Sequence, residues 1–168
     1  VTEATAEDRV RVVCADYADP RHAADLVALL DAYARDPMGG SRPLSDETRR
    51  RLVPELAKRP HCFTLLCYVG DEPAGLANCV EGFSSFAARP LVNIHDLAVA
   101  PAFRGRGLAR RLLQAVEEEA RARGCCKITL EVLSANEVAQ AAYRSFGFAN
   151  YELDPAAGKA EFWEKKLA

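Results

Sequence analysis

The segment Leu97-Ala98-Val99-Ala100-Pro101-Ala102-Phe103-Arg104-Gly105-Arg106-Gly107-Leu108-Ala109 joins an apolar run to a helical pattern through a turn with two glycines and two arginines. At the start of a helix the backbone N–H groups lack intrahelical partners, and the helix dipole adds partial positive charge. Glycine lets a ligand approach such a backbone closely, and phosphate oxygens are the natural occupants. Arg104, Arg106, Arg110 and Arg111 concentrate positive charge around the same turn. The plain alternative is a tight turn with solvated arginines. A Walker loop would need Gly-Lys-Ser/Thr, which the chain lacks. A dinucleotide fingerprint would need a third glycine where Arg110 stands, and it belongs near the first strand of a βαβ unit.

A second constellation obeys helical spacing. Asn136, Ala139 and Tyr143 fall at i, i+3 and i+7, so one stripe carries an amide, a small residue and a phenol. At 1.5 Å per residue the stripe reaches about 10 Å along the axis. Val138, Ala142 and Phe146 form a separate, apolar stripe. His95 and Asp96 stand on the strand that leads into the glycine turn, where alternation sends their side chains to opposite faces. A histidine titrates in the range useful for proton transfer. A lone strand histidine also serves as a hydrogen-bonded structural residue.

The elements that would position these groups follow from periodicity. Arg9 to Cys14 reads as a strand, and Asp19-Pro20 opens a helix with Leu26, Leu29, Leu30 and Tyr33 on one stripe. Asp36-Pro37-Met38-Gly39-Gly40 ends it. Ser45 caps a second helix toward Arg59, which Pro54 is expected to kink or restart. Arg49-Arg50-Arg51 reads as a solvated helix face. Cys62 to Val69 and Pro73 to Val80 pair around Gly70-Asp71-Glu72. A loop from Glu81 to Ala87 and a strand from Leu91 to Val99 come next. Leu108, Leu112, Val116 and Ala120 mark a helix that stops at Gly124. Ile128 to Leu133 is a strand, and a helix runs from Asn136 to Phe146. Tyr151 to Leu153 and Glu161 to Leu167 offer two final strands around Pro155-Ala156-Ala157-Gly158. The order β-α-α-β-β-β-α-β-α-β-β is a mixed α/β fold of about seven strands and about four helices.

Composition bounds the partners. The 168 residues suggest one domain spanning 1–168, with 49% hydrophobic and 27% charged residues. Lys plus Arg is 22 and Asp plus Glu is 24, a net of −2, which argues against a general nucleic-acid binder. No apolar run approaches the roughly 18 residues of a membrane span. The opening residues Val1 to Thr5 lack the basic and apolar regions of a signal peptide. The six cysteines form no Cys-x-x-Cys pair, and His22, His61 and His95 fit no zinc spacing, so neither disulfides nor a metal is expected. Reduced thiols point to a cytoplasmic protein. The last strand could pair across a homodimer, because exposed edges invite partners.

Leu97-Ala98-Val99, Pro101 and Arg104-Gly105-x-Gly107-x-Ala109 resemble the acyl-CoA signature of the Gcn5-related N-acetyltransferases (GNAT). That signature is Gln/Arg-x-x-Gly-x-Gly/Ala, matched by Arg104, Gly107 and Ala109. Asn136, Ala139, Tyr143 and Phe146-Gly147-Phe148 resemble the family's second block, at the family's separation of one helix and one strand. The resemblance implies a GNAT-like fold whose fourth strand carries a bulge and parts from the fifth. It implies that Leu97, Ala98 and Val99 line the acetyl-CoA arm, with backbone pairing from Leu97 and Val99. Arg104, Gly105, Arg106, Gly107, Leu108 and Ala109 would hold the pyrophosphate, Asn136 and Ala139 would meet the arm, and Tyr143 would be the general acid. The base stays open among His95, Asp96 and a held water. Acceptor recognition falls to Asp36 and Met38 in one segment and Glu81, Phe83 and Phe86 in another, acids for a cationic amine and apolar walls. The implied activity is acetyl transfer from acetyl-CoA to a primary amine, of a small molecule first. A protein N-terminus or lysine is the alternative acceptor, and a non-catalytic acyl-CoA-binding module is a further alternative.

Overall fold

The computed structural model describes residues 9–152, 154, 156, 158 and 160–167. The chain forms two compact units, Val1–Leu130 and Glu131–Ala168. In the first, β1 (Val10–Cys14), β2 (Cys62–Val69), β3 (Glu72–Ser84), β4 (Arg89–Val99) and β5 (Ile128–Leu130) form one sheet in sequence order. The first three pairings are antiparallel, and β4 pairs with β5 in parallel through α3 (Leu108–Ala122). Between β1 and β2 lie α1 (Pro20–Arg35), a 3-10 turn (Pro37–Gly39) and α2 (Asp46–Ala57). The second unit contains α4 (Glu137–Phe146).

Local chemistry explains the boundaries. Asp19 caps α1 by accepting from the N–H groups of Arg21 and His22, with Pro20 at the first helical position. The Ser45 hydroxyl caps α2 at Thr48. The helix runs through Pro54, which lies in its last turn. Arg49 departs from the solvated face expected of its run: its guanidinium reaches Asp31 on α1 at 2.9 Å and ties the two helices together.

The sheet has a core on each face. Leu26 and Leu29 of α1 and Val53 of α2 pack with Leu66, Tyr68 and Leu76. Leu108, Leu112, Leu113, Val116 and Ala120 form the buried stripe of α3 against the opposite side. Gly75 permits the close approach there: a Cβ on it would lie 2.7 Å from the Ala98 carbonyl oxygen and 3.2 Å from Leu112 Cδ1. The six cysteines are free thiols, and burial pushes Cys79 up to about 12.

Three expectations need correction. Five strands are present among the described residues, not about seven: Tyr151, Glu152 and Glu161–Leu167 form no strand. Leu153, Pro155 and Ala157 lie outside the described residues, as do Val1 to Thr5. A dimer through a final edge strand therefore loses its premise. The segment Glu81 to Phe86 is not a loop, because β3 continues through Ser84 and turns back into Arg89. Ser84 Oγ accepts from the Ala87 N–H at 3.3 Å inside that hairpin.

Candidate functional site

The register of β4 changes at one residue. Asn78 faces Asp96, and the next residue, Cys79, faces Ile94, so His95 is an extra residue bulged from the ladder. On its other side β4 pairs with β5 through Val92, Asn93 and Ile94, and that pairing stops at the same place. Beyond the bulge, the Ala100 N–H donates to the Ala74 carbonyl at 2.8 Å, toward β3. By alternation Leu97 and Val99 then direct N–H and C=O away from β3, to the edge that β5 has left.

The bulge also decides where Asp96 goes. Cross-strand partners share a face, so Ile94 lies with Cys79, and Asp96 lies with Asn78 on the other face. A regular strand would have driven the carboxylate into the apolar layer beneath α3. Instead Asp96 Oδ2 accepts from Asn78 Nδ2 at 3.0 Å. Asn78 Oδ1 accepts from the Thr64 hydroxyl at 2.6 Å, and Thr64 meets the Tyr17 hydroxyl at 3.0 Å. Thr64 and Asn78 are the buried polar residues of this sheet. Each is satisfied by this chain, as a buried polar group must be. The sequence reading missed this row; its signal was Asn78 alone in the apolar run from Ala74 to Val80. Tyr33 is raised above the ordinary phenol value, first by burial and then by the charges of Asp96 and Asp36. His95 itself is exposed.

The glycine turn forms as its composition requires. Pro101–Phe103 makes a 3-10 turn, Gly105 and Gly107 hold φ of +76° and +74°, and Gly107 caps α3 with no side-chain hydrogen bond. Left-handed backbone favours glycine. A Cβ at either position would meet nothing within 4 Å, so open space lies over the turn. The first helical bond runs from the Arg111 N–H to the Gly107 carbonyl at 3.2 Å, which places the N–H groups of Leu108 and Ala109 ahead of the ladder. The residues therefore fit a pyrophosphate held by backbone donors. Two side chains of the turn face the protein: Arg106 stacks on Phe103, 5.7 Å from Cζ to the ring, and Arg104 donates to Asp36 Oδ2 at 2.7 Å and to the Val99 carbonyl at 3.2 Å.

The acceptor candidates are not brought together. Asp36 sits at the α3 N-terminal end, held by Arg104, which keeps its carboxyl below the usual carboxylate range. Glu81 is committed to Arg123 at 3.0 Å, at the C-terminal end of a helix about 22 Å long. Met38, Phe83 and Phe86 are exposed, at 38%, 68% and 106%. Among the described residues no group of His, Cys, Asp and Glu could hold a metal, and no helix is long and apolar enough to cross a membrane.

In the second unit, Asn136 Oδ1 accepts from the Ala139 N–H at 3.1 Å, so the amide oxygen is the N-cap of α4. Gly147 closes the helix at φ +106°. The Tyr143 and Phe148 rings meet edge to face at 5.9 Å, and Phe146 stacks on Phe148 at 6.2 Å. The aromatic block thus folds back on its own helix end.

The model of the acetyltransferase (GNAT) family matches residues 26–148, and the chain belongs to that family. The chain is 30% identical over 132 residues to the thialysine N-epsilon-acetyltransferase of Caenorhabditis elegans, covering 78% of this chain and 79% of that one. It is 37% identical over 83 residues to the N-alpha-acetyltransferase RimI of Mycobacterium tuberculosis, covering 48% and 51%. It spans from 24% to 79% of the length of six curated relatives it matches. The solved structure of AAC(6')-Iy in complex with the bisubstrate analog CoA-S-monomethyl-acetylneamine shares the fold, with a TM-score of 0.74 at 18% identity over 95% of this chain and 100% of that chain.

Proposed function

We propose that this chain transfers acetyl from acetyl-CoA to the primary amine of a small molecule. The observation that carries the reading is the freed edge of β4: Leu97 and Val99 present unladdered backbone beside a glycine turn with open space at Gly105 and Gly107. Bound acetyl-CoA would supply an acyl thioester, an electrophilic carbonyl carbon with a thiolate leaving group. Leu97 and Val99 would satisfy the arm's amides, and the N–H groups from Gly105 to Ala109 would hold its pyrophosphate, the Arg104 N–H being donated to the Pro101 carbonyl at 3.4 Å. His95, exposed on the bulge, would take the proton that an alkylammonium must lose before its nitrogen attacks, with Asp96 or a water it holds as the alternative. By the family pattern the Tyr143 hydroxyl would give a proton to the departing sulfur. The relatives named for thialysine and for α-amino groups support an amine acceptor, and the latter favour a protein N-terminus as the second reading. A cytoplasmic location is part of this proposal.

Acetyl-CoA at a hundred times its dissociation constant should stabilise the fold by roughly 2.7 kcal/mol, with NADH and ATP doing much less; equal melting shifts from all three would overturn the assignment. Turnover is then measured by CoA release on thialysine, neamine and a peptide with a free α-amino group. Highest kcat/KM on the peptide would favour the protein acceptor. Binding without release on any amine would leave an acyl-CoA-binding module. Tyr143→Phe should lower kcat by at least about 10² with acetyl-CoA affinity little changed, and an unchanged rate would remove Tyr143 from catalysis.

A further inference from the structure

We propose that the Arg104 side chain is not a phosphate ligand but one half of a positioning pair with Asp36, which fixes the turn after α1 against the glycine turn. The inference rests on the reading above, in which the glycine turn receives acetyl-CoA, together with the resemblance that gives the segment of Asp36 and Met38 to the amine.

Asp36 organises its own turn completely. Its N–H donates to the Tyr33 carbonyl at 2.9 Å, and its carbonyl accepts from Gly39 at 2.8 Å and Ser41 at 3.1 Å. Its carboxylate caps the 3-10 turn through Oδ1, which accepts from the Met38 N–H at 2.9 Å. The second carboxylate oxygen is left to look outward, and it meets Arg104 at 2.7 Å. On the other side, Arg104 spans 68 positions of sequence to make that bond, and its Nε simultaneously holds the Val99 carbonyl at 3.2 Å. One guanidinium therefore joins three pieces: the turn after α1, the last residue of β4 and the start of the glycine turn. Its planar donors suit this bridging, which a lysine ammonium reproduces only in part.

The placement argues for positioning over bulk stability. Asp36's side chain is only 18% exposed, whereas that of Arg104 is 54% exposed, and pairs with so accessible a partner contribute little to folding. The turn it holds has few other ties to the sheet: the remaining backbone bonds of residues 36–42 run within the turn and to α1. Met38 lies on that turn. Loss of the bridge should free the amine-facing turn while leaving the backbone donors from Gly105 to Ala109 in place.

The test uses the full chain with Arg104→Met, Arg104→Lys, Asp36→Asn and the Arg104→Met/Asp36→Asn double variant. Asparagine keeps an oxygen for the Met38 cap and puts an amide NH2 where the second oxygen met Arg104, which removes the charge and the acceptor together. Hydrogen exchange at the Met38, Gly39 and Ser41 amides should speed up by on the order of tenfold in either single variant. The double variant should be no faster, since both changes remove one interaction. Arg104→Lys should recover part of the protection. Titrated acetyl-CoA should bind all four variants within about threefold of the parent, and in the panel the amine KM should rise several-fold with kcat kept within about twofold. A fall in acetyl-CoA affinity of tenfold or more in Arg104→Met, with exchange at residues 38–41 unchanged, would make Arg104 a phosphate ligand and overturn the pair. If the parent protein itself fails to bind acetyl-CoA, the functional reading fails, whatever the exchange data show.

Discussion

The two halves of β4 obey different rules. Upstream of His95, Val92 and Ile94 are buried, at 0% and 3% exposure, with β3 on one side and β5 on the other. Downstream, Leu97 and Val99 keep β3 but lose β5, and a guanidinium rather than a strand meets the Val99 carbonyl. The first half is a core strand whose worth lies in its side chains. The second is a binding edge whose worth lies in its backbone. One strand thus carries stability and recognition in separate stretches, divided by a single inserted residue.

Substitutions should respect that division. Ile94→Ala should cost about 2–5 kcal/mol in chemical denaturation, the usual range for emptying a buried aliphatic site, while the folded fraction still binds acetyl-CoA. Gly107→Asp should do the reverse, abolishing the roughly 2.7 kcal/mol of ligand stabilisation while lowering the unliganded protein by only about 1–2 kcal/mol for a left-handed non-glycine residue. Normal acetyl-CoA binding by Gly107→Asp would move the phosphate site elsewhere. Gly75→Ala probes the boundary: its new Cβ would press on the Ala98 carbonyl at 2.7 Å. It should cost about 1–3 kcal/mol and weaken acetyl-CoA through displacement of the open half. Destabilisation without weaker binding would show that the open edge tolerates movement.

The smallest effect concerns acid. Arg104 holds the Asp36 carboxyl below its ordinary value of 3.8 in the folded protein. A depressed folded-state pKa gives stability that is complete above the unfolded value and lost as pH falls through the folded one. The stability gap between parent and Arg104→Met should therefore be present at neutral pH and shrink below about pH 4. A gap that stays constant into acid would mean that the arginine contributes packing and not charge.

Much of this was legible in the chain. Gly105 and Gly107 announced a turn because few other residues adopt its backbone, and Asp19, Ser45 and Asn136 stand where helix caps must. Glu161–Leu167 misled: Phe162 and Trp163 are adjacent and Leu167 stands apart, so no period of two exists for a ladder to use. Gly82 and Ser84-Ser85 looked like loop residues, yet β3 runs through to Ser84 because the hairpin partner, not propensity, supplies its hydrogen bonds. The pairs Asp36–Arg104 and Glu81–Arg123 were invisible for the same reason. Each acid was read as free to meet an amine, and only the fold brings its arginine 68 or 42 positions away into contact.

A strand is a parity code, in which odd positions face one way and even positions the other. In β4 the code is even before His95, where Val92 and Ile94 fill the layer under α3, and odd after it, where Leu97 and Val99 take over that layer. Deleting His95 would not merely remove an imidazole. It would close the bulge into a regular ladder, in which Ile94 still faces Cys79 and Asp96 still faces Asn78, so the four residues after it would keep their faces and the strand would lose its local break. The inserted residue acts as a frame shift written in three dimensions: a strand that kept His95 but paired it in regular register would turn Asp96, Leu97, Ala98 and Val99 over and bury a carboxylate among leucines.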